Sequence, residues 1–127
     1  MSAPVLDVIV IGAGPAGLSA ATATARGGLK TLCLDKLAPG GALINLGALH
    51  DLDEPSDGPQ LASRLADAAL DAGAELGFCE VVRLSGGGPW TVEMSDGEQH
   101  AARALVIATG LNKGRLGVPG VEDYEGR

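Results

Sequence analysis

Apolar positions run along this chain in two rhythms. Val8, Ile9, Val10 and Ile11 are consecutive, β-branched and apolar, which predicts a parallel strand buried on both faces. The Ala-rich stretch from Pro15 to Arg26 stops at Gly27-Gly28, the pattern of a helix and its C-terminal stop. A second short strand, 31–34, leads to an acid, Asp35. No clean period follows through 36–58. At Pro59 a helical rhythm resumes, with Leu61, Leu65, Ala68, Ala69 and Ala72 on one face and Gly73 as its end. Strand-like runs then occupy 74–78, 80–84, 90–94 and 99–102. Gly86-Gly87-Gly88-Pro89 and Asp96-Gly97 supply turns between them, so the four read as an antiparallel meander. A last run, 104–108 (ALVIA), reads as a buried parallel strand that Thr109-Gly110 ends. The order is that of an α/β fold with a parallel sheet and an antiparallel meander.

The junctions carry the chemistry. Gly12, Gly14 and Gly17 form G-x-G-x-x-G between the first strand and the first helix. In a chain with 20 glycines among 127 residues the bare motif is weak. Its context is specific: a buried strand before it, a helix after it, and an acid about 20 residues on. Gly12 permits the tight turn, Gly14 lets backbone approach a pyrophosphate, and Gly17 lets the helix pack on the sheet. Pro15 falls at the helix start, where a missing N–H is harmless. The helix N-terminus offers free amides and a positive dipole end to phosphate. Asp35 is placed to accept hydrogen bonds from a ribose diol. The alternative is a tight βαβ turn beside an empty crevice. The segment 36–58 leaves the carboxyl edge of the sheet, where such folds bind ligands. It reads either as a loop over a cofactor or as a surface insertion.

Bulk properties narrow the partners. The net charge is −7 and no Lys/Arg cluster occurs, which argues against nucleic acid or an anionic membrane. No apolar run approaches the length of a spanning helix. The first basic residue is Arg26, so a signal peptide's basic n-region is missing and a cytoplasmic location is the default. Cys33 and Cys79 stand far apart in expected strands and read as small buried residues. No Cys/His set has metal spacing, and His50 and His100 are isolated. Trp90, the one tryptophan, is either packing or a stacking platform, and packing is the commoner role of a lone strand Trp.

Taken together, VIVIGAGPAGLSAA, Asp35, PGGAL at 39–43, DGPQLASRL at 57–65, ALVIATG at 104–110 and GVPGVEDYEGR at 117–127 resemble the thioredoxin-reductase-like FAD-dependent pyridine nucleotide oxidoreductases. The resemblance covers nearly the whole chain. It implies a Rossmann-type three-layer ββα FAD/NAD(P)-binding domain, with residues 1–110 as its first segment and 111–127 as a hinge toward a nicotinamide-binding domain. It implies that Gly12, Gly14, Ala16 and Gly17 meet the FAD pyrophosphate, that Asp35 lies at the adenosine ribose, and that Pro15 and Lys36 belong to the same cofactor site. Gly40, Gly41 and Ala42 would run beside the flavin, and Thr109 and Gly110 would close over the cofactor. It further implies electron transfer from NAD(P)H through FAD to an acceptor, and homodimers.

The sequence also departs from the family pattern. Ala42 stands where the family usually has Gln, and Asp51 is the nearest match to an Asn that normally precedes Pro-Gly. A second G-x-G-x-x-G, a C-x-x-C and the later Gly-Asp segment do not occur. The expectation is therefore a piece of a longer oxidoreductase that does not turn over NAD(P)H by itself. A stand-alone, non-catalytic adenine-dinucleotide-binding module is the alternative, and a ligand-free folding fragment is a third. No general acid or base is identifiable.

Overall fold

The computed structural model describes residues 4–54, 56–111 and 119–120. The elements are β1 (Val5–Ile11), α1 (Pro15–Arg26), β2 (Thr31–Asp35), a 3-10 turn (Gly41–Asn45), β3 (Ala48–Leu49), β4 (Ser56–Asp57), α2 (Gly58–Asp71), β5 (Glu75–Phe78), β6 (Val81–Gly86), β7 (Trp90–Met94) and β8 (Gln99–Ile107). Six strands form one sheet in the order β5-β2-β1-β8-β7-β6, and β3 and β4 make a separate antiparallel pair. β1 lies between β2 and β8, parallel to both.

The consecutive apolar run of β1 now has its reason. Val8 and Val10 face the helices and pack with Leu18, Ala21 and Ala25 of α1 and Ala66 and Ala69 of α2. Ile9 and Ile11 face the other way, with Leu32 and Leu34 of β2 and with Val92 and Met94 of β7. The meander thus folds back over the second face of the parallel sheet. Helices, sheet and meander make the three-layer ββα arrangement, with β1 buried between two layers.

Five expectations need correction. The 74–78 run is not part of the meander. β5 pairs parallel with β2, Cys33 opposite Leu76 and Asp35 opposite Phe78. It returns to the sheet through α2, and a helical crossover makes parallel neighbours. The 99–102 and 104–108 runs are one strand, β8. Its first residues pair with β7 and its later ones with β1. β7 accompanies it only as far as Ala102. Beyond that point one edge of β8 has no strand partner among the described residues, and Ile107 is 58% exposed, so this strand is parallel but not buried. The buried face of α2 is Ala62, Ala66 and Ala69, rolled from the expected one, with Leu61 and Leu65 only half-buried at its margin. α2 also begins one residue earlier, at Gly58. Asp57 and Gln60 form a capping box there: the Gln60 amide donates to Asp57 Oδ1 at 2.8 Å and the Asp57 amide to Gln60 Oε1 at 3.1 Å.

The 36–58 segment is not structureless. It contains the 3-10 turn and the β3–β4 pair. Trp90 opens β7, half-buried, opposite Gly86 and Ala102. The expected hinge, 111–127, lies outside the described residues apart from Leu111, Pro119 and Gly120.

Candidate functional site

The carboxyl ends of β1, β2, β5 and β8 meet at one edge. β1 gives way to Gly12, whose φ of +110° suits glycine. A Cβ at this position would run into the Ala108 carbonyl oxygen. The Gly12 N–H donates to the Leu34 carbonyl at 2.7 Å, and the Ala108 N–H donates to the Ile11 carbonyl at 2.8 Å. The turn is therefore tied to both neighbouring strands. Gly17 is buried beneath it, and a Cβ there would enter the Gly12 carbonyl. Gly14 differs from both, since a Cβ on it would meet no atom within 4 Å. It is the N-cap of α1 and no side chain caps that helix. The first-turn amides and the positive end of the dipole are left for an anion.

Asp35, half-buried at the end of β2, is already at work in the fold. Its Oδ2 accepts from the Ala13 amide at 2.7 Å and its Oδ1 from the Leu37 amide at 3.2 Å. A carboxylate has about four acceptor positions, so both oxygens can still receive a diol. Asp35→Ala should act twice. Dinucleotide affinity should fall by about 1.5–3 kcal/mol for each charged hydrogen bond removed, and the ligand-free chain should lose about 1–3 kcal/mol because the buried Ala13 amide is orphaned. Parallel FAD titration and urea denaturation check this; a variant matching wild type in both would remove Asp35 from the site.

Two cavities open on this edge. One, of about 180 Å3, is lined by Gly12, Asp35, Lys36, Cys79, Val81 and Thr109, among others. The other, of about 370 Å3, lies between the glycine turn and the 3-10 turn, lined by Gly14, Pro15, Ala16, Gly41, Ala42 and Gly110, among others. Asp35, Lys36 and Thr109 border both, so the pair forms one cleft with two lobes. Two of the expected site residues do not line it. Gly17 supports the turn from behind. Gly40, at φ +118°, is turned toward Ala62, whose Cβ would lie 2.6 Å from a Cβ on Gly40.

Cys79, Glu80 and Val81 also line the smaller lobe, and no motif in the sequence marks them. Once β5 is placed parallel beside β2, the residues after it fall on the carboxyl edge. Treating 74–78 as the return of a βαβ unit is the signal that leads to them. Cys79 lies between β5 and β6, not in a strand, and its Sγ is 3.3 Å from Ser95 Oγ. Among the described residues no group of three His, Cys, Asp or Glu side chains is placed to hold a metal, and no helix is long and apolar enough to cross a membrane.

Cys33 is buried in β2 and its Sγ donates to the Gly12 carbonyl at 3.5 Å. Burial, with the Asp35 carboxylate adding to it, pushes the thiol up to about 11 from 9.0. The folded chain thus holds this proton more tightly than the unfolded one. The stability it contributes is complete below pH 9 and is lost as pH rises toward 11. Urea midpoints measured across that range should fall, and Cys33→Ala should remove that part of the slope; an unchanged slope in the variant would refute the assignment.

The fold is an α/β domain of the Rossmann-like kind, with a meander covering the face opposite the helices. A family model described as pyridine nucleotide-disulphide oxidoreductase matches residues 6–127, and the chain belongs to that family. It is 34% identical over 125 residues to a thioredoxin reductase of Bacillus subtilis (strain 168), covering 97% of this chain and 40% of that relative. The figures for a Listeria monocytogenes thioredoxin reductase are 34%, 97% and 39%. Among solved structures, Lactococcus lactis thioredoxin reductase superposes with a TM-score of 0.85 at 34% identity, over 96% of this chain and 41% of that one. T. acidophilum thioredoxin reductase gives 0.84 at 33% identity, over 95% and 40%. The chain therefore spans about 40% of the length of these relatives.

Proposed function

We propose that the two-lobed cleft binds FAD, as the cofactor-binding part of a thioredoxin-reductase-like oxidoreductase that passes electrons from NAD(P)H through FAD to an acceptor. The observation that carries this is the adjacency of the two lobes, which share Asp35, Lys36 and Thr109 as lining, with Gly14 at the open face of the turn. A molecule with two bulky ends and a charged waist fits that shape. Its pyrophosphate would lie over Gly14, where a Cβ would meet only open space, against the uncapped start of α1. Its adenosine would enter the lobe of Asp35 and Val81, and its other end would run along Gly41 and Ala42. Thr109 and Gly110, delivered by β8, would close the side between.

Bound flavin supplies the hydride and electron chemistry. The chain's residues bind it, orient it and offset its phosphate charge. None of them is assigned as a general acid or base. Residues 1–110 form the first segment of the FAD domain in this reading, and 111–127 lead toward a nicotinamide-binding domain.

The test is to express the chain, look for co-purified flavin, and titrate the stripped protein with FAD, NAD and ADP. Preferential retention of FAD supports the proposal. Equal binding of all three would replace it with a general adenine-dinucleotide module, and binding of none would overturn it.

A further inference from the structure

The larger lobe has a wall that the glycine turn does not supply. This wall is the 3-10 turn, and a series of backbone hydrogen bonds holds it. The Gly40 amide donates to the Ala13 carbonyl at 2.7 Å, the Leu43 amide to Gly40 at 3.0 Å, the Leu46 amide to Leu43 at 3.0 Å, and the Gly58 amide to Leu46 at 3.1 Å. The series starts on the glycine turn and ends on the first residue of α2. Gly58 is buried and lines neither lobe. A Cβ on it would enter the Leu43 carbonyl and lie 2.8 Å from the Leu46 carbonyl oxygen.

Those obstacles are main-chain atoms, which cannot swing aside as a side chain does. Ala66 and Ala69 of α2 lie in the buried core with Val8, Val10 and Leu18, so α2 does not yield easily either. The 3-10 turn must then move away from α2. On its far side it already stands close to the glycine turn: a Cβ on Gly41 would lie 3.2 Å from Gly14 Cα. Any outward shift of the wall changes the width of the lobe.

We infer that Gly58 is a positioning residue for the cleft. Having no Cβ, it lets α2 seat the 3-10 turn at the spacing a dinucleotide needs, although it touches no part of the ligand. The inference rests on the dinucleotide reading above. It differs from the roles of Gly12 and Gly17, which shape the turn under the phosphates, because Gly58 acts on the opposite wall.

The experiment compares FAD with ADP, which lacks the part that runs along the 3-10 turn. In Gly58→Ala, ADP affinity should stay within about twofold of wild type, while the FAD-to-ADP affinity ratio drops roughly tenfold, the scale of one well-placed hydrogen bond. Near-ultraviolet and visible circular dichroism of bound flavin should change with it. An unchanged ratio in a folded variant overturns the inference. So does an equal weakening of both ligands, or a wild-type ratio of one. If wild type binds neither ligand, the dinucleotide reading itself has failed. Should Gly58→Ala not fold, hydrogen exchange on the unaltered chain decides. FAD, and not ADP, should slow the amides of Leu43, Leu46 and Gly58 together, and unchanged rates at these three would overturn the inference.

Discussion

A Gly14→Val chain is expected to fold and to hold no dinucleotide. The three glycines of the motif share a turn, but only Gly14 points its missing side chain outward. A Cβ on it meets nothing within 4 Å, and its backbone, at φ −77° and ψ −171°, is extended and open to any L-residue. Valine is a poor N-cap, at a cost of about 0.5–2 kcal/mol, against the roughly 5–15 kcal/mol that stabilises an ordinary domain. In the proposed binding mode the added methyl groups would stand where the pyrophosphate passes between turn and cleft. Thermal unfolding close to wild type, with no detectable FAD in titration, is the expected pair of results. A folded variant that kept its FAD would place the phosphates elsewhere.

Gly17→Ala should do the reverse, damaging the fold first. Its single methyl enters the Gly12 carbonyl. Gly12 cannot retreat, because its amide is bonded to Leu34 and its Cα stands against the Ala108 carbonyl. α1 must then lift from the turn, which loosens Leu18 and Ala21 in the core. Overpacking of this kind costs about 1–3 kcal/mol, sometimes more, and each kcal/mol lowers the melting temperature of a domain this size by roughly 2–8 °C. FAD affinity should fall as a consequence, since the first-turn amides shift with the helix. A Gly17→Ala chain melting with wild type would contradict this packing of α1 on the turn.

The parts legible in the sequence are those set by local chemistry. G-x-G-x-x-G between a β-branched run and an Ala-rich helix defines its own geometry, and α1 spans Pro15–Arg26 as the pattern predicts. Asp35 can be placed because β2 is short and ends on it. Its bond to the Ala13 amide cannot, since that depends on how the turn folds back over β2. The errors lie where one pattern serves two structures. The 74–78 run looks like any short strand before a turn, and only its partner, β2, tells a βαβ return from a meander. Arg103 interrupts the apolar pattern as a strand boundary would, yet β8 runs through it because β1 continues to pair on one side. In α2 the leucines are the larger apolar residues, but the alanines set the buried face. Small residues let a helix approach closely, so that face follows Ala62 and Ala66.

Trp90, at the head of β7, gives the chain an unplanned division of optical signals. With a single tryptophan and only 2% aromatic residues, fluorescence excited in the indole band arises from the meander layer, whereas flavin absorbance and flavin circular dichroism would arise from the cleft on the far edge of the sheet. The meander and the cleft share β8 and Val81 of β6, but their chromophores are separate. Loss of the meander and loss of the cofactor cleft can therefore be timed separately in one denaturation run. A gap between the two traces would reveal which layer lets go first.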